Sequence, residues 1–254
     1  MVSSCRGSAF RALCSLLLAA TPALAGEFAV NPVRLELGSG ARSGALEVRN
    51  EGDHPLGFQV QAKEWTQDTQ GRDQYLDTAD LVFFPKLMTV EPGQERVVRV
   101  GIKRPGAAIE KTYRLFIEEL PGNVRAREGT GAQINVLIRF GAPIFVAPVQ
   151  PQDGLQLSEP TLRQGELTVV ATNTGNRHQV IQGIHVKGTD AAGQEVHSLS
   201  LADRYLLAGA TKAYRTVIPP DRCSRLASIA VEIKSDRRTA GQQLHVSPAM
   251  CGPA

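Results

Sequence analysis

The sequence predicts an all-β protein built from two immunoglobulin-like β-sandwiches, and three observations carry that prediction. Every plausible element after Gly26 is short and alternates apolar with polar residues, the period of a half-buried strand. Turn residues (Gly, Pro, Asn, Asp) separate these elements at about 8–15 residue intervals, the spacing of a sandwich. Helix-period runs are nearly absent. The composition agrees: with 24 Gly and 15 Pro in 254 residues, 42% hydrophobic and 21% charged, collagen, coiled coil and bulk disorder are excluded, and the length fits one or two domains.

In chain order, 28–37 alternates around Pro32, so it is expected as an edge strand, where a missing N–H is tolerated. Residues 45–50 and 57–62 flank the turn-rich Asn50–Pro55 and read as a strand pair. Strands are expected at 81–84, at 96–102 after the Glu91–Gly93 turn, at 112–118, and along 134–146. The first domain then closes near Ala147, and Pro148–Pro151 forms a stiff joint. A second, smaller sandwich follows, with core strands at 167–171, 180–186, 213–218 and 228–233.

The first 25 residues read as an export signal. Arg6 and Arg11 precede an apolar run, Ala12–Ala20, then Pro22 and an Ala23-Leu24-Ala25 cleavage site. That run is far shorter than the ~20 residues a bilayer needs, so no membrane insertion is expected. The domains are thus 1–25 (signal), 26–147 and 148–254. Cleavage removes two basic residues and no acid, leaving 26 basic against 25 acidic and a net charge of +1. Nucleic acid is therefore not an expected partner, because phosphate binding needs a clustered basic excess.

Cleavage also removes Cys5 and Cys14 and leaves Cys223 and Cys251. In an oxidising compartment an isolated pair favours a disulfide over a metal site, because no Cys-x-x-Cys spacing or neighbouring His supports zinc. Two unpaired thiols are the alternative. A bridge would close a loop of roughly 28 residues and contribute about 3 kcal/mol.

Catalysis finds no support. The five histidines (His54, His178, His185, His197, His245) are scattered, no Gly-x-Ser-x-Gly elbow occurs, and no phosphate-cradling Gly loop implies a nucleotide or other cofactor. Asp68–Asp73 lacks the later acids of a calcium loop and reads as a solvated turn.

Two features stand out. In 133–146, Ile134, Val136 and Ile138 share one strand face while Asn135, Leu137 and Arg139 share the other, so apolar groups fall on both. Either this is a central strand buried on both faces, or one row stays bare at an edge for a partner strand to cover. Arg34 is a cation in an otherwise apolar strand. It is either a solvated charge on the side of Glu36 or an anion-binding arginine between domains.

Several ordered segments resemble the periplasmic chaperones of the chaperone–usher pathway for pilus and fimbria assembly. They are Phe28-x-Val-x-Pro-x-Arg34, Leu46–Gly52, Gln61–Trp65, Pro92–Gly101, Tyr113–Pro121 and Pro143–Pro148, and in the second domain, loosely, Asn173-Thr-Gly175. The resemblance implies two immunoglobulin-like domains in a boomerang, no enzyme activity, a periplasmic location, and two partners: a pilus or fimbrial subunit and an outer-membrane usher. It implies that Ile134, Val136 and Ile138 form a strand lent to a subunit lacking its own last strand.

It also implies a subunit-carboxylate anchor of two cations. Arg34 stands at the first position. The second holds Pro143, and Arg139, four residues earlier, is the nearest replacement, which marks a divergent branch. An interdomain acid is expected at Glu110, but its basic partner position holds Ala147, so other contacts must orient the domains. The rival reading is a secreted structural or adhesive sandwich protein that is itself a fibre component.

Overall fold

The computed structural model describes residues 28–252 apart from 39, 105 and 122–135; the export segment, Gly26 and Ile134 lie outside the described residues. The first sandwich contains β1 (Phe28–Asn31), β2 (Leu35–Leu37), β3 (Ser43–Asn50), β4 (Leu56–Gln67), β5 (Asp73–Asp77), β6 (Leu81–Phe84), β7 (Leu87–Val90), β8 (Glu95–Ile102), β9 (Lys111–Glu119) and β10 (Arg139–Val146). One sheet has the order β1-β3-β8-β6. The other runs β2-β10-β9-β4-β5, with β7 also on β4. Alternation along these strands sends Leu46, Val48, Phe58, Val60, Val98, Leu115, Ile117 and Ile144 into one core, each fully buried side chain contributing about 1.5–3 kcal/mol.

Two sequence expectations need correcting. The edge strand expected over 28–37 is two strands in different sheets, because Pro32 has no N–H to continue the ladder and the chain crosses over there. Residues 45–50 and 57–62 are not a hydrogen-bonded pair: β3 pairs with β1 and β8, while β4 pairs with β9, β5 and β7 in the opposite sheet. The turn between them is a sheet-to-sheet crossing. It is tied down by buried Asn50, whose Nδ2 donates to His54 O at 2.7 Å and Val90 O at 2.8 Å.

The second sandwich places Gln156–Leu157, Thr161–Arg163, Glu166–Thr172 and Thr211–Val217 in one sheet, and Gln179–Thr189, Glu195–Leu201, Tyr205–Leu206, Ser228–Ser235 and Thr239–His245 in the other. A separate core forms around Leu167, Val169, Ile184, Leu206, Ile229 and Ile233. Cys223 and Cys251 are disulfide-bonded with their Cα atoms 5.6 Å apart, which ties the C-terminal turn to the short helix α1 (Pro220–Cys223).

A third apolar cluster joins the sandwiches. Trp65 and Phe145 from the first meet Tyr205 and Leu207 from the second, all buried. Tyr205 stands edge-on to Trp65 with ring centroids 5.5 Å apart. Gln67 clamps the seam from both ends of its amide: Nε2 donates to Tyr205 O, and Oε1 accepts from Leu207 N–H, both at 3.0 Å. Beside them, Glu110 does meet a partner across the joint. His178 N–H donates to Glu110 Oε2 at 2.7 Å, its Nδ1 lies 2.9 Å from the same oxygen, and both side chains are buried. The turn after β4 touches the second sandwich through Gly71, at φ +74°; a Cβ there would lie 2.6 Å from Lys212 Cγ.

Truncating Trp65 to Ala leaves a cavity in that seam. It should cost about 3–5 kcal/mol and split thermal unfolding, followed by scanning calorimetry, into two transitions as the sandwiches uncouple. A second expectation concerns buried His197, whose two ring nitrogens have no partner among the described residues. Burial, and then Arg222, lower its pKa from the ordinary value of 6.5. The unfolded chain therefore takes up the proton first, and stability should fall as pH drops below about 6.5. His197→Leu should flatten that fall in the thermal midpoint between neutral and mildly acid pH.

Candidate functional site

β10 is sealed on both faces only over its second half. Residues 142–146 are all buried: Ala142, Ile144 and Val146 enter the first core, while Phe145, on the opposite face, enters the seam between the sandwiches. β2 covers the edge of β10 only at Ile144, Phe145 and Val146. Residues 139–143 pair with β9 on one side, and no described strand pairs with their other edge.

Toward its N-terminal end the chain runs off the sandwich. Glu119 N–H still donates to Ile138 O at 3.0 Å, and Ile138 N–H donates to Glu119 Oε2 at 3.3 Å. Beyond that contact Val136 is 75% exposed and Leu137 47%. By the two-residue period, Val136 and Ile138 prolong the row of Phe140, Ala142, Ile144 and Val146 that fills the core. One end of the row is thus packed and the other bare. The doubly buried strand describes 142–146; before it, Val136 is exposed, Ile138 is half-buried and Ile134 lies outside the described residues.

Arg34 lies just before β2. Extending the β2–β10 register by one residue sets it opposite Pro143. Its Nη2 is 3.2 Å from Glu36 Oε1, with both side chains about half exposed. Such a surface pair is worth about 0–1 kcal/mol, so little holds the guanidinium there. Arg139 is placed differently. Its Nε lies 3.4 Å from Glu118 Oε2, and its guanidinium carbon stands 3.9 Å from the Phe116 ring centroid. It sits four residues along β10 from Pro143, about 13 Å at the strand rise. Arg34 and Arg139 are therefore not brought together.

A third arginine that sequence reading did not single out lies closer. Arg114 of β9 is directly opposite Pro143 on its other side. Its guanidinium carbon lies 3.8 Å from the Trp65 ring centroid, and its Nη1 donates to Gly141 O at 3.0 Å. Only the register of β9 against β10 reveals this, and no local motif encodes it. His178, 68 residues from its partner Glu110, is hidden for the same reason. Among the described residues no cluster of His, Cys, Asp and Glu could hold a metal ion, and no helix is long and apolar enough to cross a membrane.

Residues 27–152 match the family described as pili and flagellar-assembly chaperone, PapD N-terminal domain. No curated protein matches the chain by sequence. Among solved structures, the chain is similar to the CsuC–CsuE chaperone–tip adhesion subunit pre-assembly complex from archaic chaperone-usher Csu pili of Acinetobacter baumannii. The identity is 16% and the TM-score 0.58, over 86% of this chain and 98% of that one. It is also similar to the CupB2 chaperone of Pseudomonas aeruginosa, at 16% identity and TM-score 0.52, over 86% of this chain and 100% of that one. A third is the Salmonella enterica SafA pilin in complex with the SafB chaperone, at 14% identity and TM-score 0.52, over 86% and 96%. At such identities the likeness is one of fold, and it spans both sandwiches. The family match adds descent to shape over the first sandwich, which carries the half-covered strand β10: residues 27–152 belong to the family of pili and flagellar-assembly chaperones described by the PapD N-terminal domain.

Proposed function

We propose that this protein is a periplasmic, non-enzymatic chaperone that completes the fold of pilus or fimbrial subunits by lending them a strand, residues 134–138, and delivers them to an outer-membrane usher. The observation that supports this most is the bare end of the core row. Val136 stands exposed beside an edge that no described strand covers, an aggregation hazard that a fold retains only where a partner strand will pair with it.

The mechanism follows from strand geometry. A subunit with an open apolar groove receives Ile134, Val136 and Ile138 as alternate side chains, while main-chain hydrogen bonds extend its sheet. Burying three such side chains contributes roughly 5–8 kcal/mol before ordering costs. Arg34 takes the subunit's C-terminal carboxylate, a charge-assisted contact of about 1.5–3 kcal/mol that also fixes register. Register matters because a one-residue slip turns the whole row away from the groove. Release needs no nucleotide, since another subunit's extension replaces the lent strand.

Purified from periplasmic extract, the chaperone should carry a subunit in one-to-one complex. Val136→Asp places a charge in the groove and should weaken subunit capture at least about tenfold, while circular dichroism and the thermal midpoint of the free chaperone stay unchanged because the side chain is already solvated. With Arg34→Ala the chaperone should fold normally while its subunits aggregate or are degraded; undiminished capture by that variant would refute the anchor.

A further inference from the structure

We propose that the pocket between the two sandwiches, beneath the turn that follows β4, is a binding site for a small oxyanion, a polycarboxylate or a phosphate. It has a volume of about 450 Å³ and draws its walls from both halves of the molecule. Arg72 and Arg114 face it from the first sandwich and Arg204 and Lys212 from the second, against two carboxylates, Asp73 and Asp203.

Those carboxylates are already engaged. Asp203 accepts from Lys212 Nζ at 3.0 Å and from the Tyr214 hydroxyl. Asp73 accepts from Gln67 Nε2 at 3.1 Å and from the Tyr75 hydroxyl at 3.2 Å. Donors are what remain. Trp65 Nε1 and Arg114 Nε are buried and have no acceptor among the described residues, and the carboxylate of Asp73 stands 3.9 Å from Arg114 Nη2, beyond hydrogen-bond reach. Arg204 is exposed and forms no ion pair among the described residues.

Arg72 is paired with Asp68 at 2.8 Å, so the charge of Arg204 and the orphan N–H groups of Trp65 and Arg114 are what call for a further acceptor. The species that supplies several acceptor oxygens with negative charge is an oxyanion, and planar guanidinium groups match carboxylate and phosphate oxygens in pairs. A metal cation is disfavoured by the same charges. The site is distinct from Arg34, which lies two strands from Arg114, about 10 Å across the sheet. Because its walls belong to both sandwiches, an anion seated there braces them against each other, and binding to the folded state alone raises stability.

The test uses the whole mature protein. Citrate and inorganic phosphate are titrated separately by calorimetry and thermal melting, with chloride at matched ionic strength as the control. Citrate, phosphate or both should bind and raise the melting midpoint beyond the chloride control, and which of them does so separates polycarboxylate from phosphate recognition. Arg204→Gln alters an exposed side chain and leaves the fold intact; it and Arg114→Gln should each weaken binding at least about fivefold, or roughly 1 kcal/mol. The proposal is overturned if chloride reproduces the full shift, if neither anion binds, or if both variants bind as the parent does.

Discussion

Phe145 stacks nearly parallel on His178, ring centroids 3.6 Å apart, and behind His178 stands the buried carboxylate of Glu110. This contact fixes one end of β10 between the two sandwiches. Trp65 and Tyr205 close around the same ring, so the end of the strand is held by apolar packing and by hydrogen bonds at once. A hydrogen-bonded polar pair buried this deeply contributes little net stability, because desolvation offsets attraction. What it supplies is geometry. Glu110 takes both the backbone N–H and a position against the ring of His178, which leaves that loop of the second sandwich a single place to sit against the first.

An anchored end is what makes a free end usable. A bare apolar row far from any packed strand would bear a large entropic cost on pairing, whereas Ile138 is already hydrogen-bonded to Glu119 one residue before β10 begins. Further along the strand, Ala142, Ile144 and Val146 cannot turn without opening the core. On the function proposed above, preorganisation of this kind lowers the ordering cost that a short stretch bears on pairing.

Much of this was legible in the chain itself. Alternation and turn residues predicted two β-sandwiches, and a strand along 134–146 was expected where β10 runs from Arg139 to Val146. What the sequence concealed was which strands are neighbours. Short elements 5–12 residues apart look alike whether the turn between them closes a hairpin or crosses between sheets, and for that reason 45–50 and 57–62 read as a pair although β3 and β4 face each other across the core. The seam was hidden more deeply. Glu110 and His178, or Gln67 and the strand at Tyr205–Leu206, meet only after both sandwiches have formed. A local pattern can predict that a residue faces inward, but it carries no information about which distant residue it will face.

Pro143 shows how one substitution has several consequences at such a site. Proline donates no hydrogen bond, so within a sheet it is tolerated where an edge is open, and it stands at the residue before β2 begins to cover β10. The residue that marks the start of the open edge also displaces the cation that the family resemblance places there. Arg34 and Arg114 flank it in register, one on each side, and each is committed elsewhere in the free protein, Arg34 to Glu36 and Arg114 to the Trp65 face and Gly141 O. The two are held unequally: the surface ion pair of Arg34 is weak and solvated, while Arg114 is packed against an aromatic ring. On the function proposed above, that asymmetry favours Arg34 over Arg114 as the cation that meets a subunit's carboxylate.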